Sequence, residues 1–317
     1  MPLRSVIAGC GGCLPAQVVT NDELAARHGL DTSDAWIRER SGITRRHFAG
    51  PGETAASMGA EAARRALAQA GIAPEEVDAV IVATATPDSA FPATAVHIQR
   101  ILGITRGFGF DVSAACTGFI YALAIADSML RTGQARCALV IGTEVYSRIL
   151  DWQDRATCVL FGDGAGAVVL RAEEREDGRG ILSTHLHADG RQADILHVEG
   201  TTGPLRMAGR EVFKQAVTKL AAVVDEALAA NALPREAVDW LVPHQANIRI
   251  IEAMGKKLGL PPERVVVTVD RHANTSAASV PLALAEAVED GRIRRGDLLL
   301  LEAIGGGLTW GAALLRF

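Results

Sequence analysis

Three side chains suited to acyl chemistry stand in short segments of similar build: Cys116 in FDVSAACTGF, His244 in WLVPHQANIR and Asn274 in RHANTSAAS. A thiol, an imidazole and a carboxamide can form a thioester on the protein and run carbonyl chemistry beside it. Each follows an apolar run that gives way to a turn or a helix, where α/β proteins keep their ligand sites. Around Cys116, Phe108–Val112 reads as a short buried strand and Ser113–Ala115 as a tight turn of small residues. Phe119, Ile120, Leu123, Ala126 and Leu130 then mark a wide apolar face, which predicts a helix over Gly118–Arg131. Cys116 is expected in its first turn, where unsatisfied amides and the helix dipole favour a thiolate. An ordinary thiol with pKa ~8.5 is only about 3% ionised at pH 7, and lowering that by ~2 units makes the thiolate the main species. The competing reading is a small buried hydrophobe.

His244 follows VDWLVP, a strand-like run closed by Pro243, and HQAN leads into a helix expected over Ile248–Leu258. Asn274 follows Val265–Asp270, read as a strand, and precedes a helix over Ala277–Glu289. A lone histidine there could be structural, and a lone asparagine could be a cap or turn former. The shared context of all three favours a joint role.

The elements that must position these side chains occur twice. EEVDAVIVATATPD (Glu75–Asp88) resembles REAVDWLVPHQAN (Arg235–Asn247), and LGITRGFGFDVSAACTG resembles LGLPPERVVVTVDRHANTS. RTGQARCALVIGTE likewise resembles EDGRIRRGDLLLLEAIG. A repeat of this length is far beyond a solenoid unit and indicates a duplicated α/β domain, divided near 1–172 and 173–317. Cys116 lies in the first copy, His244 and Asn274 in the second, so one site needs both.

With these motifs, and from NDELAARHGLDTSDAWIRERSGI to GGGLTWGAALLRF, essentially the whole chain resembles the β-ketoacyl-[acyl-carrier-protein] synthase III family. Its members start bacterial type II fatty-acid synthesis. The Cys–His–Asn set separates them from elongating condensing enzymes, which use Cys–His–His, and from thiolases, which use a second cysteine. The resemblance implies a thiolase-like, five-layered αβαβα fold of two similar halves. It also implies an acyltransferase that condenses a short acyl-CoA, acetyl-CoA above all, with malonyl-acyl carrier protein. Secondary-metabolism relatives with the same triad are the alternative.

The resemblance further implies roles residue by residue. Cys116 becomes acylated, amides of Cys116 and Gly306 hold the oxyanion, and His244 and Asn274 serve malonyl decarboxylation. Trp36, Arg40, Arg155 and Asn247 match CoA-binding positions, and Lys214, Arg249, Lys256 and Lys257 match the carrier-protein face. Phe91 matches a residue that closes the partner subunit's acyl pocket in a homodimer, which implies a small primer. Ile304 and Ala273 depart from the family pattern, where phenylalanine and glycine are expected. CoA is substrate, and no metal or redox cofactor is implied.

Composition sets limits. At 317 residues with 49% apolar content, the chain can bury two α/β halves of ordinary size. A net charge of −5 implies no general nucleic-acid affinity. No run of 18 apolar residues suggests a membrane span, and MPLRSVIAGCGG reads as a first strand rather than a signal peptide. Five cysteines in this setting read as reduced, hence a cytoplasmic protein. Cys10-Gly-Gly-Cys13 has no second ligand pair and ends a strand, so it argues little for a metal. In FGDGAGAVVL a strand is expected to follow the glycines, which denies them the helix that a phosphate cradle needs. Gly305–Gly307 differ, since three glycines after LLLLEAI let backbone approach a ligand closely.

Overall fold

The computed structural model describes residues 3–200 and 203–317. Two sheets form its centre. The first has five strands in the order Leu3–Cys13, Gly164–Glu174, Cys137–Glu144, Ala79–Ala83, Phe108–Val112. Its first two pairings are antiparallel and its last two parallel. The second sheet runs Gly180–Ala188, Thr309–Arg316, Leu298–Gly305, Trp240–Pro243, again with two antiparallel pairings followed by a parallel one.

The duplication holds down to single hydrogen bonds. Asp78 donates its N–H to Cys137 O at 2.8 Å, and its carboxylate accepts from Cys137 N–H at 3.1 Å. Asp239 repeats this with Leu298, at 2.9 Å and 2.8 Å. In both copies an aspartate before one strand stitches the start of its parallel neighbour.

Helices complete five layers. Gly118–Arg131 and Ser279–Glu289 pack between the sheets and touch both. Ala55–Ala70 and Thr94–Leu102 cover the outer face of the first sheet, and Gly209–Ala230 covers the second, with Ile248–Leu258 packed against it. Strands covered on both faces read as continuous apolar runs rather than alternating ones. AVIVA (Ala79–Ala83) and LLLL (Leu298–Leu301) are buried throughout. Each such Val, Leu or Ile contributes about 1.5–3 kcal/mol through burial. The alanine-rich helix Ala55–Ala70 lies so close to the first strand that a Cβ on Gly11 would stand 2.3 Å from Ala62 O.

Two expected strands differ. Phe108–Val112 pairs on one side only and is half-buried to exposed, because it forms the open edge of its sheet. Val265–Asp270 keeps a single parallel bridge, Val265 beside Leu241, and ends in the short helix Val269–His272. The Gln245 side chain takes the place of a neighbouring strand: its amide donates to Val266 O at 3.0 Å, and its oxygen accepts from Thr268 and Val269 N–H at 2.8 and 3.1 Å. The last central helix starts at Ser279 after a 3-10 turn over Ser276–Ala278. Among the described residues, no helix is long and apolar enough to cross a membrane.

Candidate active site

Cys116 sits in a 3-10 turn, Ala115–Thr117, wedged between the end of the Phe108–Val112 strand and the helix Gly118–Arg131. The turn is entered through Ala115 at φ 44° and is tied to the second half. Thr117 Oγ1 donates to Thr309 O at 2.9 Å, and Thr309 Oγ1 donates to Ala114 O at 3.1 Å. Gly305 backs directly onto the main chain of Cys116, since a Cβ there would lie 2.6 Å from Cys116 N.

His244 follows Pro243 at the carboxyl end of its strand, and its N–H donates to Glu302 O at 2.8 Å. Its Nδ1 lies 2.6 Å from Ser279 Oγ, which also accepts the Gln245 N–H at 3.3 Å. The Ser279 proton has no other acceptor among the described residues, so it is given to Nδ1 and the ring carries its own hydrogen on Nε2. Burial lowers the ring's pKa to about 3, and it stays neutral at physiological pH.

Asn274 is held at both ends of its backbone by the facing loop, with its N–H donating to Leu160 O at 2.9 Å and its carbonyl accepting from Gly162 N–H at 3.0 Å. Its Oδ1 accepts the Ser276 N–H at 2.8 Å, which turns the carboxamide N–H group away from that bond. The preceding Ala273 has φ 57° and ψ −161°, a region that is essentially glycine's. Strain of this kind costs about 1–3 kcal/mol, against roughly 0.5–1 kcal/mol for glycine's extra entropy loss. Ala273→Gly is therefore expected to raise stability by about 1 kcal/mol, read as a higher urea midpoint at unchanged slope. A lower midpoint would show that the backbone is relaxed as it stands.

Cys116, His244 and Asn274 line one cavity of about 1000 Å³, together with Gly306 and Ile304. Trp36, Arg40, Asn247 and Arg249 line it as well. Arg155 lies outside the lining, yet its guanidinium stands 5.2 Å from the Trp36 ring, with that of Arg40 at 4.8 Å. Lys214 and Lys256 are exposed and do not line the cavity, and Lys257 is paired with Asp225 at 3.0 Å. Phe91 is 86% exposed and does not line the cavity of its own chain.

The comparisons agree with this arrangement. Family models described as 3-oxoacyl-[acyl-carrier-protein (ACP)] synthase III and its C-terminal part match residues 110–190 and 228–317. The chain is 68% identical to the β-ketoacyl-[acyl-carrier-protein] synthase III of Acidiphilium cryptum, over 99% of both chains. With the synthase III of Rhodospirillum centenum it shares 64% over all of both. The crystal structure of 3-oxoacyl-[acyl-carrier-protein] synthase III from Aquifex aeolicus VF5 matches at TM-score 0.95 and 48% identity, covering 99% of this chain and 100% of that one. The chain belongs to the 3-oxoacyl-[acyl-carrier-protein] synthase III family. Its members carry the thiolase-like αβαβα fold described above.

For this synthase III family member, one expectation about the nucleophile is corrected. Burial pushes the Cys116 thiol up to about 12, with the nearby Glu144 charge adding to it and hydrogen bonding from Ser276 and Tyr146 only partly offsetting it. The short turn and helix start do not outweigh desolvation, so the resting side chain is a thiol. Sequence reading also missed Ser279, Gln245, Glu144 and Ser276, which hold the site from behind. HQAN offered a signal for Gln245, but nothing local distinguishes Ser279 or Glu144.

Proposed function

We propose that this chain starts fatty-acid synthesis by decarboxylative Claisen condensation of a short acyl-CoA primer, acetyl-CoA foremost, with malonyl-acyl carrier protein. The observation that carries this reading is the convergence of Cys116, His244 and Asn274 from two separate halves on one cavity. Cys116 Sγ attacks the acyl-CoA carbonyl, and the amides of Cys116 and Gly306 hold the oxyanion. The tetrahedral adduct collapses, CoA leaves, and the thiol proton ends on the CoA sulfur. Malonyl-carrier protein then loses CO2. The electron pair left behind forms an enolate whose oxygen is held by His244 Nε2–H and the Asn274 amide. The carbanion attacks the acyl-cysteine, forms the C–C bond, and releases the sulfur as a thiolate, which takes a proton from solvent to restore the thiol. Loss of CO2 supplies the carbanion, so no metal or redox cofactor enters, and CoA is substrate only.

Access fits two thioester carriers. An indole flanked by Arg40 and Arg155 is suited to stack a purine and pair with phosphate, and Asn247 stands along the passage for a pantetheine arm. Arg249, with Lys214 and Lys256 outside and Lys257 beside Asp225, would face an acidic carrier protein. The halves 1–172 and 173–317 would work as one unit in a cytoplasmic protein.

A homodimer is supported by the apolar surface around the open edge Phe108–Val112, where Phe91, Val96, Ile101 and Phe108 are all exposed. Phe91 would then close the partner's acyl pocket, with Ile304 on the pocket's own side. A panel of acyl-CoA primers offered with malonyl-carrier protein or with malonyl-CoA tests the reading. Acetyl-CoA with the carrier-bound malonyl group should be preferred. Preference for free malonyl-CoA would favour a secondary-metabolism enzyme instead. In Phe91→Thr, longer primers should gain on acetyl-CoA, modestly, since each methylene is worth only about 1–3 kcal/mol. An unchanged primer profile would move the pocket floor to Ile304.

A further inference from the structure

We infer that Glu144 is a positioning residue for condensation, acting through Ser276 on Asn274. This rests on the role proposed above for Asn274. Glu144 ends the strand Cys137–Glu144 in the first half and is fully buried. Among the described residues no cation pairs with it, although an isolated buried carboxylate is costly. Four neutral donors surround it instead. Its carboxylate accepts from Thr84 Oγ1 at 3.2 Å, Thr86 Oγ1 at 2.5 Å, Ala85 N–H at 3.0 Å and Ser276 Oγ at 3.0 Å. The two threonine hydroxyls already accept backbone N–H groups, from Thr86 at 3.1 Å and Val145 at 2.8 Å, so their own protons are free to point at Glu144.

Ser276 is the link. Its hydroxyl reaches Glu144 across the junction of the two halves, while its N–H fixes Asn274 Oδ1 at 2.8 Å. It does so at φ 50°, a left-handed conformation that a non-glycine residue keeps only when its surroundings enforce it. Burial raises the Glu144 carboxyl to about 7, with the bonds from Thr86, Ala85, Ser276 and Thr84 partly offsetting it. A carboxylate placed only for stability would not need to bind the residue whose N–H orients the Asn274 amide. Glu144 thus sets the direction of the Asn274 amide through Ser276 N–H.

The test compares Glu144→Gln and Ser276→Ala with wild type and Asn274→Ala. All rates are normalised to the sites that acetyl-CoA acylates, counted by intact mass. In Glu144→Gln the amide turns a donor toward donors, and in Ser276→Ala the link is cut while the backbone N–H remains. Both should lose malonyl-carrier-protein decarboxylation per site by roughly 10- to 100-fold, in kcat rather than KM. If both variants stay within about twofold of wild type per site and differ only in melting temperature or acylable fraction, Glu144 is structural and the inference falls. Should Glu144→Gln fail to fold, Ser276→Ala decides alone by its loss in kcat for decarboxylation at unchanged KM. If Asn274→Ala itself decarboxylates normally, the proposed function of Asn274 fails first. If it is impaired while the other two are not, only the Glu144 inference fails.

Discussion

Replacing Cys116 by serine is expected to abolish acyl-enzyme formation and to lower condensation by several orders of magnitude, while the fold persists. Serine keeps the hydrogen bonding but replaces a polarisable sulfur by a hydroxyl that is a far poorer nucleophile without a base to activate it. His244 is a poor base for it, since burial lowers its pKa to about 3, its Nδ1 is taken by Ser279, and its Nε2 carries a hydrogen. Intact-mass labelling with acetyl-CoA should map to Cys116 alone. Adducts on Cys10, Cys13, Cys137 or Cys158 would overturn the assignment. The same residue separates two physical pictures of the nucleophile. With the thiol pushed up to about 12 by burial, iodoacetamide alkylation of the free enzyme should climb about tenfold per pH unit between roughly pH 7 and 10. A rate already flat above about pH 7 would show that the helix start wins over desolvation.

The candidate residues Cys116, His244 and Asn274 were legible in the sequence because each is announced by its own surroundings. An apolar run ends, a small or polar turn follows, and a helix begins, and this happens at Cys116, His244 and Asn274 alike. The duplication was legible for a similar reason, since Asp78 and Asp239 make the same stitch at the same point of their sheets. What the sequence could not carry is desolvation. The apolar flanks that mark Cys116 as buried are the same groups that keep it a thiol, and a local reading credits the helix start but not the closed volume around it. Val265–Asp270 failed for a related reason: its apolar pattern suits a strand, but Gln245, some twenty residues earlier, supplies the hydrogen bonds a neighbouring strand would have given. Ser279 and Glu144 were invisible because their partners are distant in the chain. Ser276 and Glu144 are 132 residues apart, and only the assembled halves bring them together.

Removing either donor of the second half, by His244→Ala or Asn274→Ala, should impair malonyl decarboxylation far more than Cys116 acylation. Both side chains are prepared as donors rather than acids. Ser279 fixes the imidazole with hydrogen on Nε2, and Ser276 N–H occupies Asn274 Oδ1, so each has an N–H left to offer a developing enolate. A preorganised donor in a site closed to water pays no reorganisation when the charge appears, and its loss costs about 2.7–4 kcal/mol, or about 100- to 1000-fold. The acylation half-reaction draws its oxyanion stabilisation from backbone amides and should fall much less. Measured separately, by acyl-enzyme formation from acetyl-CoA and by CO2 release from malonyl-carrier protein, the two half-reactions should therefore part. Equal losses in both would mean that His244 or Asn274 serves the first step as well. The ring's state offers an independent check: because burial holds its pKa near 3, nitrogen NMR of His244 should report a neutral Nε2–H tautomer throughout the range from about pH 5 to 8. An imidazolium signal within that range would mean that decarboxylation is assisted by a full charge, and the size of the His244→Ala loss would then exceed that of Asn274→Ala.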